Sequence, residues 1–266
     1  MIRWLAGVVL AAGLHANDWP SFRGPQASGV ADGQNFPAQW DVPKGQGVLF
    51  KVAVPGLAHS SPIIAGDRLF LTTAVSSIVD PTFKPGLYGA GTAASDRSVH
   101  EWRVICLDKR TGKALWSRVA VKKKPTDKRH IKATYANSTP ATDGKHVVAF
   151  FGSEGLVVYT VEGKLLWKKN LGRLDVGAYD LPEYEWGSAS SPTIWHGKVI
   201  VQCDAQKGSF IAAFDLKTGK EHWRTPRNEL PSWGTPNVWP GKVPELITNG
   251  SKFIRGYNPE TGKELW

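Results

Sequence analysis

The 266-residue chain is poor in the residues that would place it in several functional classes. It has two cysteines, Cys106 and Cys203, and no Cys-x-x-Cys or His-Glu-x-x-His spacing, which removes a disulfide-built scaffold and the common zinc sites from consideration. The two cysteines fall in predicted strands of different repeat units, where Cα atoms rarely approach within bridging distance, so both are expected to be buried free thiols. No segment carries an apolar stripe of 3.6-residue period, which excludes helical bundles and helical repeats. The one sustained apolar run, Trp4 to Leu14, is too short to span a bilayer as a helix. Acids are also scarce: 23 Asp and Glu face 33 Lys and Arg. What the chain has in quantity is 28 Gly, 18 Pro and 12 Trp, a composition of many turns and interlocking aromatic strands.

Met1-Ile2-Arg3, the apolar run and the small Ala16 read together as a secretory signal peptide over residues 1–16. No cysteine follows the run, so a lipid anchor is not expected. The remainder, 17–266, reads as one domain of a periplasmic or secreted protein.

The stretch Asp215-Leu216-Lys217-Thr218-Gly219-Lys220-Glu221-His222-Trp223 has near-copies at Asp108 to Trp116 and Asn258 to Trp266, and a worn one at Thr160 to Trp167. In each, an Asp or Asn can bond its own backbone and a glycine (Gly112, Gly163, Gly219, Gly262) is free to take positive φ. That is the chemistry of a type I hairpin turn closed by a left-handed residue. Alternating strand residues precede the turn, and a Trp follows on the next strand.

A second marker stands ahead of each hairpin: Ser60-Ser61-Pro62, Ser138-Thr139-Pro140, Ser190-Ser191-Pro192 and Gly234-Thr235-Pro236. Each opens a short apolar strand, a tight turn and a further strand, so each unit has four strands. Trp116, Trp167, Trp223 and Trp266 are spaced by 51, 56 and 43 residues, the period of four-stranded propeller blades.

The Asp-x-x-Thr-Gly-Lys-x-x-Trp hairpin with its Ser-Ser-Pro opener resembles the quinoprotein-like (PQQ-like) β-propeller repeat, and Asp18-Trp19-Pro20-Ser21-Phe22-Arg23-Gly24-Pro25 looks like the start of exported bacterial members. The resemblance covers nearly all of the chain after residue 17. It implies an all-β propeller of four-stranded antiparallel blades, about four of them present from a ring of seven or eight, incomplete at the C-terminal side. In such rings an N-terminal outer strand completes the last blade, and residues 48–54 are expected to be that strand, with Phe50 in the place of the Trp. Functionally it implies either a BamB-like scaffold or a quinone-dependent dehydrogenase. The dehydrogenases hold PQQ over a Trp floor with Ca²⁺ bound by Glu, Asn and Asp, a base Asp and two adjacent cysteines. This sequence has no adjacent cysteines and no matching carboxylate motif, though Asp180, Glu185 and Asp204 are available acids. No cofactor and no metal are therefore expected.

Three insertions break the rhythm at 75–101, 117–137 and 168–189. Between Arg118 and Lys132 seven basic residues face the single acid Asp127. Read as a loop, this stretch offers Lys122, Lys123, Lys124, Lys128 and Arg129 to an acidic partner or polyanion. It has no interleaved aromatics, so nucleic acid is not expected. All three insertions fall on the propeller face that carries second-to-third-strand and blade-to-blade links. Loops on a rigid scaffold concentrate binding residues. The candidate site is therefore His59, His130, Tyr135, Asn137, Tyr184, Trp186 and Trp233, at the channel mouth of that face. Nothing specifies a Ser–His pair oriented by a third group. The expectation is an exported, non-catalytic propeller binding a protein or envelope component. The alternatives are a fragment of a quinone-dependent dehydrogenase and a carbohydrate- or polyanion-binding propeller.

Overall fold

In a computed structural model of the chain, residues 18–79, 83–86, 91–178, 180–181 and 184–266 are described; the expected signal segment and Tyr179 lie outside them. The first sheet contains β1 (Ile63–Ala65), β2 (Arg68–Ser76), β3 (His100–Asp108) and β4 (Ala114–Lys123). The second contains β5 (Ala141–Thr142), β6 (His146–Phe150), β7 (Leu156–Thr160) and β8 (Leu165–Lys169). The third contains β9 (Thr193–Trp195), β10 (Lys198–Cys203), β11 (Phe210–Asp215) and β12 (Glu221–Pro226), and the fourth β13 (Asn237–Trp239), β14 (Glu245–Asn249) and β15 (Ile254–Tyr257). Within every sheet the strands run antiparallel in chain order. These are four successive propeller blades. The fourth has three strands rather than the expected four; beyond them Glu264 makes a single bridge to Tyr257.

Strand alternation explains why the middle strands read as unbroken apolar runs. In β11, Phe210, Ala212 and Phe214 pack toward the second blade, whereas Ile211 and Ala213 pack toward the fourth. In β6, Val147 and Ala149 face the first blade while Val148 and Phe150 face the third. Successive side chains point to opposite faces of a strand, so a blade with a neighbour on each side must be apolar at every position. The core thus has one layer at each of the three blade joints, and a smaller cluster of Leu71, Ile105 and Leu107 on the other side of the first blade, against Val54. Cys106 and Cys203 lie in different layers, free and buried.

Two stitches hold each joint. On the outside, the Trp of one blade lies over the hairpin glycine of the next. A Cβ on Gly163 would stand 2.8 Å from the Trp116 ring, one on Gly219 2.7 Å from Trp167, and one on Gly262 2.4 Å from Trp223. Each indole Nε1 then donates to the same hairpin: Trp116 to Val161 O at 3.0 Å, Trp167 to Leu216 O at 2.9 Å, Trp223 to Pro259 O at 3.2 Å. The glycines are needed twice over, for positive φ and for the bare surface that receives the ring. Trp116 and Trp223 are buried, Trp167 half-buried, and Trp266 exposed.

On the inside, the residue before each marker proline joins a belt. Ser61 N donates to Thr139 Oγ1, Thr139 N to Ser191 Oγ, and Ser191 N to Thr235 Oγ1, all between 3.0 and 3.1 Å. These amides and hydroxyls precede the inner strands, where no ladder neighbour would otherwise satisfy them.

Two expectations need correction. Residues 48–54 form no strand among the described residues. The segment has no ladder partner, yet Phe50 and Val52 still cover Gly112 as a Trp covers the other hairpin glycines. The basic stretch is also not wholly a loop: Arg118 to Lys123 belong to β4, paired with β3 from Val104 to His100. Its alternation of Trp116 and Ala120 inward against charged residues outward is that of an outer strand with one wet face.

Trp223→Ala removes an indole and one stitch, and is expected to cost about 3–5 kcal/mol. Urea unfolding of the variant measures this, and an unchanged midpoint would show that the ring does not hold the joint.

Candidate functional site

Links between first and second strands and between third and fourth strands are tight, as at Ala65-Gly66-Asp67 and the Thr-Gly-Lys hairpins. The long links all emerge at the opposite ends of the blades, at residues 77–99, 124–140 and 170–192. There the segments entering β1, β5, β9 and β13 converge around an open bowl of about 690 Å³. Its lining includes His59, His130, Asn137, Trp186 and Trp233, five of the seven residues expected from sequence, each from a segment that leads into an inner strand.

Trp186 and Trp233 stand side by side, ring centroids 5.8 Å apart and tilted by 35°. His130 meets Trp186 edge-on at 5.6 Å. Both indoles are pinned by their N–H groups: Trp186 Nε1 donates to Gly91 O at 2.7 Å and Trp233 Nε1 to Gly187 O at 2.8 Å. Trp233 remains 38% exposed and Trp186 is half-buried, so the pair is partly open to solvent. Asn137 is committed to structure. Its Oδ1 accepts from Thr134 N and Oγ1, and its Nδ2 donates to Ser188 O, tying the link into β5 to the link into β9.

Tyr135 and Tyr184 are not in the bowl. Tyr135 turns inward onto the first core layer, where its hydroxyl donates to Asp127 O and burial raises its pKa. Arg129, buried, stacks over its ring and donates to Ala133 O. Tyr184 lies against Gly91 in the adjoining loop layer. In both cases the apolar ring is more stable covering loop backbone than facing water.

Sequence reasoning missed the floor of the bowl. Phe22 comes from the entry segment, which crosses the inner-strand side of the arc: Asp18 Oδ1 accepts from Gly66 N, Trp19 bridges Ile64, Pro20 O accepts from Thr142 N and Gln26 O from Asn237 Nδ2. Phe22 lines both the bowl and a second, apolar cavity toward the tight-turn ends. The signal was present in Asp18-Trp19-Pro20-Ser21-Phe22-Arg23-Gly24-Pro25, a dense motif outside the repeat, but nothing in it tells where it docks.

The charged candidates sit elsewhere. Lys122 pairs with Glu101 at 2.9 Å and Lys123 with Glu154 at 2.8 Å, while Lys124 is exposed. Glu185 accepts from Lys128 N. Asp204 is wholly buried against Arg227 at 2.7 Å, beside a second buried pair, Glu229 with Arg255. Arg227 also donates to Thr248 and Tyr257, so the cluster joins the third and fourth blades.

Among the described residues, no carboxylate, lysine or arginine lines the bowl. Partial desolvation of a ring that still reaches solvent, and then the Arg129 charge, lower the His59 pKa below the ordinary 6.5. Burial, and then Lys132, do the same for His130. The Lys132 amide donates to His130 Nδ1 at 3.0 Å, which puts the proton of the neutral ring on Nε2. A lowered folded-state pKa means that the unfolded chain takes up its protons first. Stability is then lost as pH falls below the unfolded value near 6.5 and stops falling once the folded pKa is passed. His130→Gln is therefore expected to flatten the acid-side decline of the melting temperature; a profile parallel to that of the parent protein would contradict the assignment.

Residues 30–231 and 100–266 match the family described as outer membrane protein assembly factor BamB. Among solved structures, quinohemoprotein alcohol dehydrogenase from Comamonas testosteroni is similar at 16% identity and TM-score 0.52, over 94% of this chain and 40% of that one. The ADHIIG enzyme of Pseudomonas putida HK5 is similar at 16% identity and TM-score 0.53, over 98% and 41%. A europium-containing methanol dehydrogenase is similar at 13% identity and TM-score 0.51, over 82% and 42%. The chain thus spans about two fifths of the length of these structures, and the likeness is one of fold. No curated protein matches it. With the repeat hairpins, the blade joints and a family match running from residue 30 to the last, the chain belongs to the PQQ-like β-propeller family of outer membrane protein assembly factor BamB.

Proposed function

We propose that the protein is an exported, non-catalytic binding propeller that engages a protein or envelope component through the bowl on its long-loop face. The observation that carries this reading is the Trp186–Trp233 pair: two large aromatics, held by backbone bonds and still partly exposed, in the lining of an open bowl. Buried-anchor aromatics of this kind carry much of the energy of an interface. Export is supported by the charged-then-apolar start of the sequence. Among the described residues no helix is long and apolar enough to cross a membrane.

The chemistry of the bowl favours binding over turnover. A base needs an orienting partner and a nucleophile within reach. His130 Nδ1 accepts from a backbone amide instead of facing a carboxylate, and the nearby Ser60 hydroxyl donates to Thr72 O. The PQQ and Ca²⁺ implied by the quinoprotein resemblance do not fit these residues. A hard cation needs oxygen ligands, usually carboxylates, and the bowl offers none, while the Asn137 carbonyl is taken up by Thr134. Cys106 and Cys203 are in separate blades, and Asp204 is neutralised by Arg227. A polyanion is likewise poorly served, because Lys122 and Lys123 have carboxylate partners and Arg129 is buried.

Trp186→Ala and Trp233→Ala are each expected to weaken capture of envelope partners by about tenfold or more, the scale of a lost hot-spot residue, with far-UV circular dichroism unchanged. Undiminished capture by both folded variants would sink the proposal. Titration with PQQ plus Ca²⁺, followed by dye-linked alcohol oxidation, is expected to give neither saturable binding nor turnover; both together would establish the enzyme reading.

A further inference from the structure

We infer that the ligand of the bowl is an uncharged saccharide, lying with a pyranose face on the Trp186–Trp233 pair and its hydroxyls toward His59 and His130. This rests on the bowl being the binding site, and it names the chemistry of what binds there.

The lining excludes ligands by charge. An anion would find no lysine or arginine among the described lining residues, and a cation no carboxylate. Arg129 and Lys132, whose charges reach His59 and His130 and disfavour a proton there, would act in the same sense on a ligand cation. What remains is a neutral molecule.

The indoles then define its shape. Because both N–H groups are spent on the carbonyls of Gly91 and Gly187, the rings have no polar atom to offer and can meet a ligand only through their apolar π surface. The negative face of an aromatic ring attracts weakly positive C–H bonds. A pyranose carries a row of axial C–H bonds on one face and hydroxyls around its edge. Two rings 5.8 Å apart and tilted by 35° make a shallow trough rather than one flat plate, which suits more than one sugar unit.

The polar rim decides between a saccharide and an apolar peptide side chain. The neutral His130 has Nε2–H as its remaining donor, and His59 is exposed at the edge. An apolar side chain pressed into the bowl would strip water from these imidazoles and leave them unsatisfied, a loss that hydroxyls avoid. The bowl is also open, with Phe22 and Trp233 more than a third exposed, so a ligand need not be fully dehydrated to enter.

The test uses the full chain, with chitotetraose, cellotetraose and maltotetraose as probes, followed by tryptophan fluorescence and calorimetry at low and high salt. At least one is expected to saturate the site, with an affinity that salt does not change. Trp186→Ala and Trp233→Ala should each lower that affinity about tenfold or more, the free energy of a lost aromatic contact. Trp233→Phe, which keeps a ring face, should recover part of it and guards against misreading a folding defect. Absence of binding by all three probes, binding undisturbed in both alanine variants, or salt-sensitive binding of acidic glycans alone would overturn the inference. Displacement by an apolar peptide with no saccharide bound would also overturn it, yet leave the bowl as the partner site. Intact partner capture in the alanine variants would instead remove the bowl reading itself.

Discussion

The structure depends on one contact repeated at every joint, an indole lying on a glycine. A propeller blade has a hydrophobic face on each side and cannot bury either alone, so its stability lies at its boundaries. Trp116, Trp167 and Trp223 each cross that boundary, cover the Gly of the next hairpin and donate to a carbonyl of the same turn, so shape and hydrogen bonding fix one register. The carboxylate of Asp108 or Asp215 holds the turn in shape by accepting from the Thr amide and hydroxyl, which is also why its pKa is lowered. The whole nine-residue repeat is therefore one device: the Asp shapes the turn, the Gly clears its surface, and the Trp occupies the neighbour's.

The hydroxyl belt around the inner strands complements the indoles. Outer stitches set the angle between blades, whereas the belt sets how closely their inner edges approach. Segments that enter the inner strands are thereby brought to a common rim, and the bowl is a direct result. Asn137 lies two residues before Thr139 and Trp233 two before Thr235, so the belt that joins the blades also delivers the site residues to one mouth.

Most of the fold was legible because its determinants are local. Hairpin chemistry, marker prolines and Trp spacing each operate within about ten residues, and together they gave four blades and the face on which long links emerge. The rest was not local. Residues 48–54 have a strand-like pattern, but a strand exists only with a ladder partner, and no pattern supplies one. The basic stretch looked like a loop because its charges hide the alternation of Trp116 and Ala120 that makes it an outer strand. Of the seven expected site residues, five line the bowl: His59, Asn137 and Trp233 each stand two residues before a belt residue, and His130 and Trp186 lie further back in the same links. Tyr135 and Tyr184 come from those links too, and their inward turn depends on packing around Arg129 and Gly91 that no spacing encodes.

The entry segment gives the arc a property that its blades lack. Units that touch only their nearest neighbours can fray from either end without consequence for the other. Residues 18–26 bond to the first, second and fourth blades, and the contact from Gln26 to Asn237 joins positions 211 residues apart. That chord couples the first and fourth blades directly: loosening the fourth blade slackens the strap on the first, and with it the seat of Phe22. The arc thereby gains a term that favours opening as a whole over fraying blade by blade, so cooperativity comes from the part of the sequence that is not repeated.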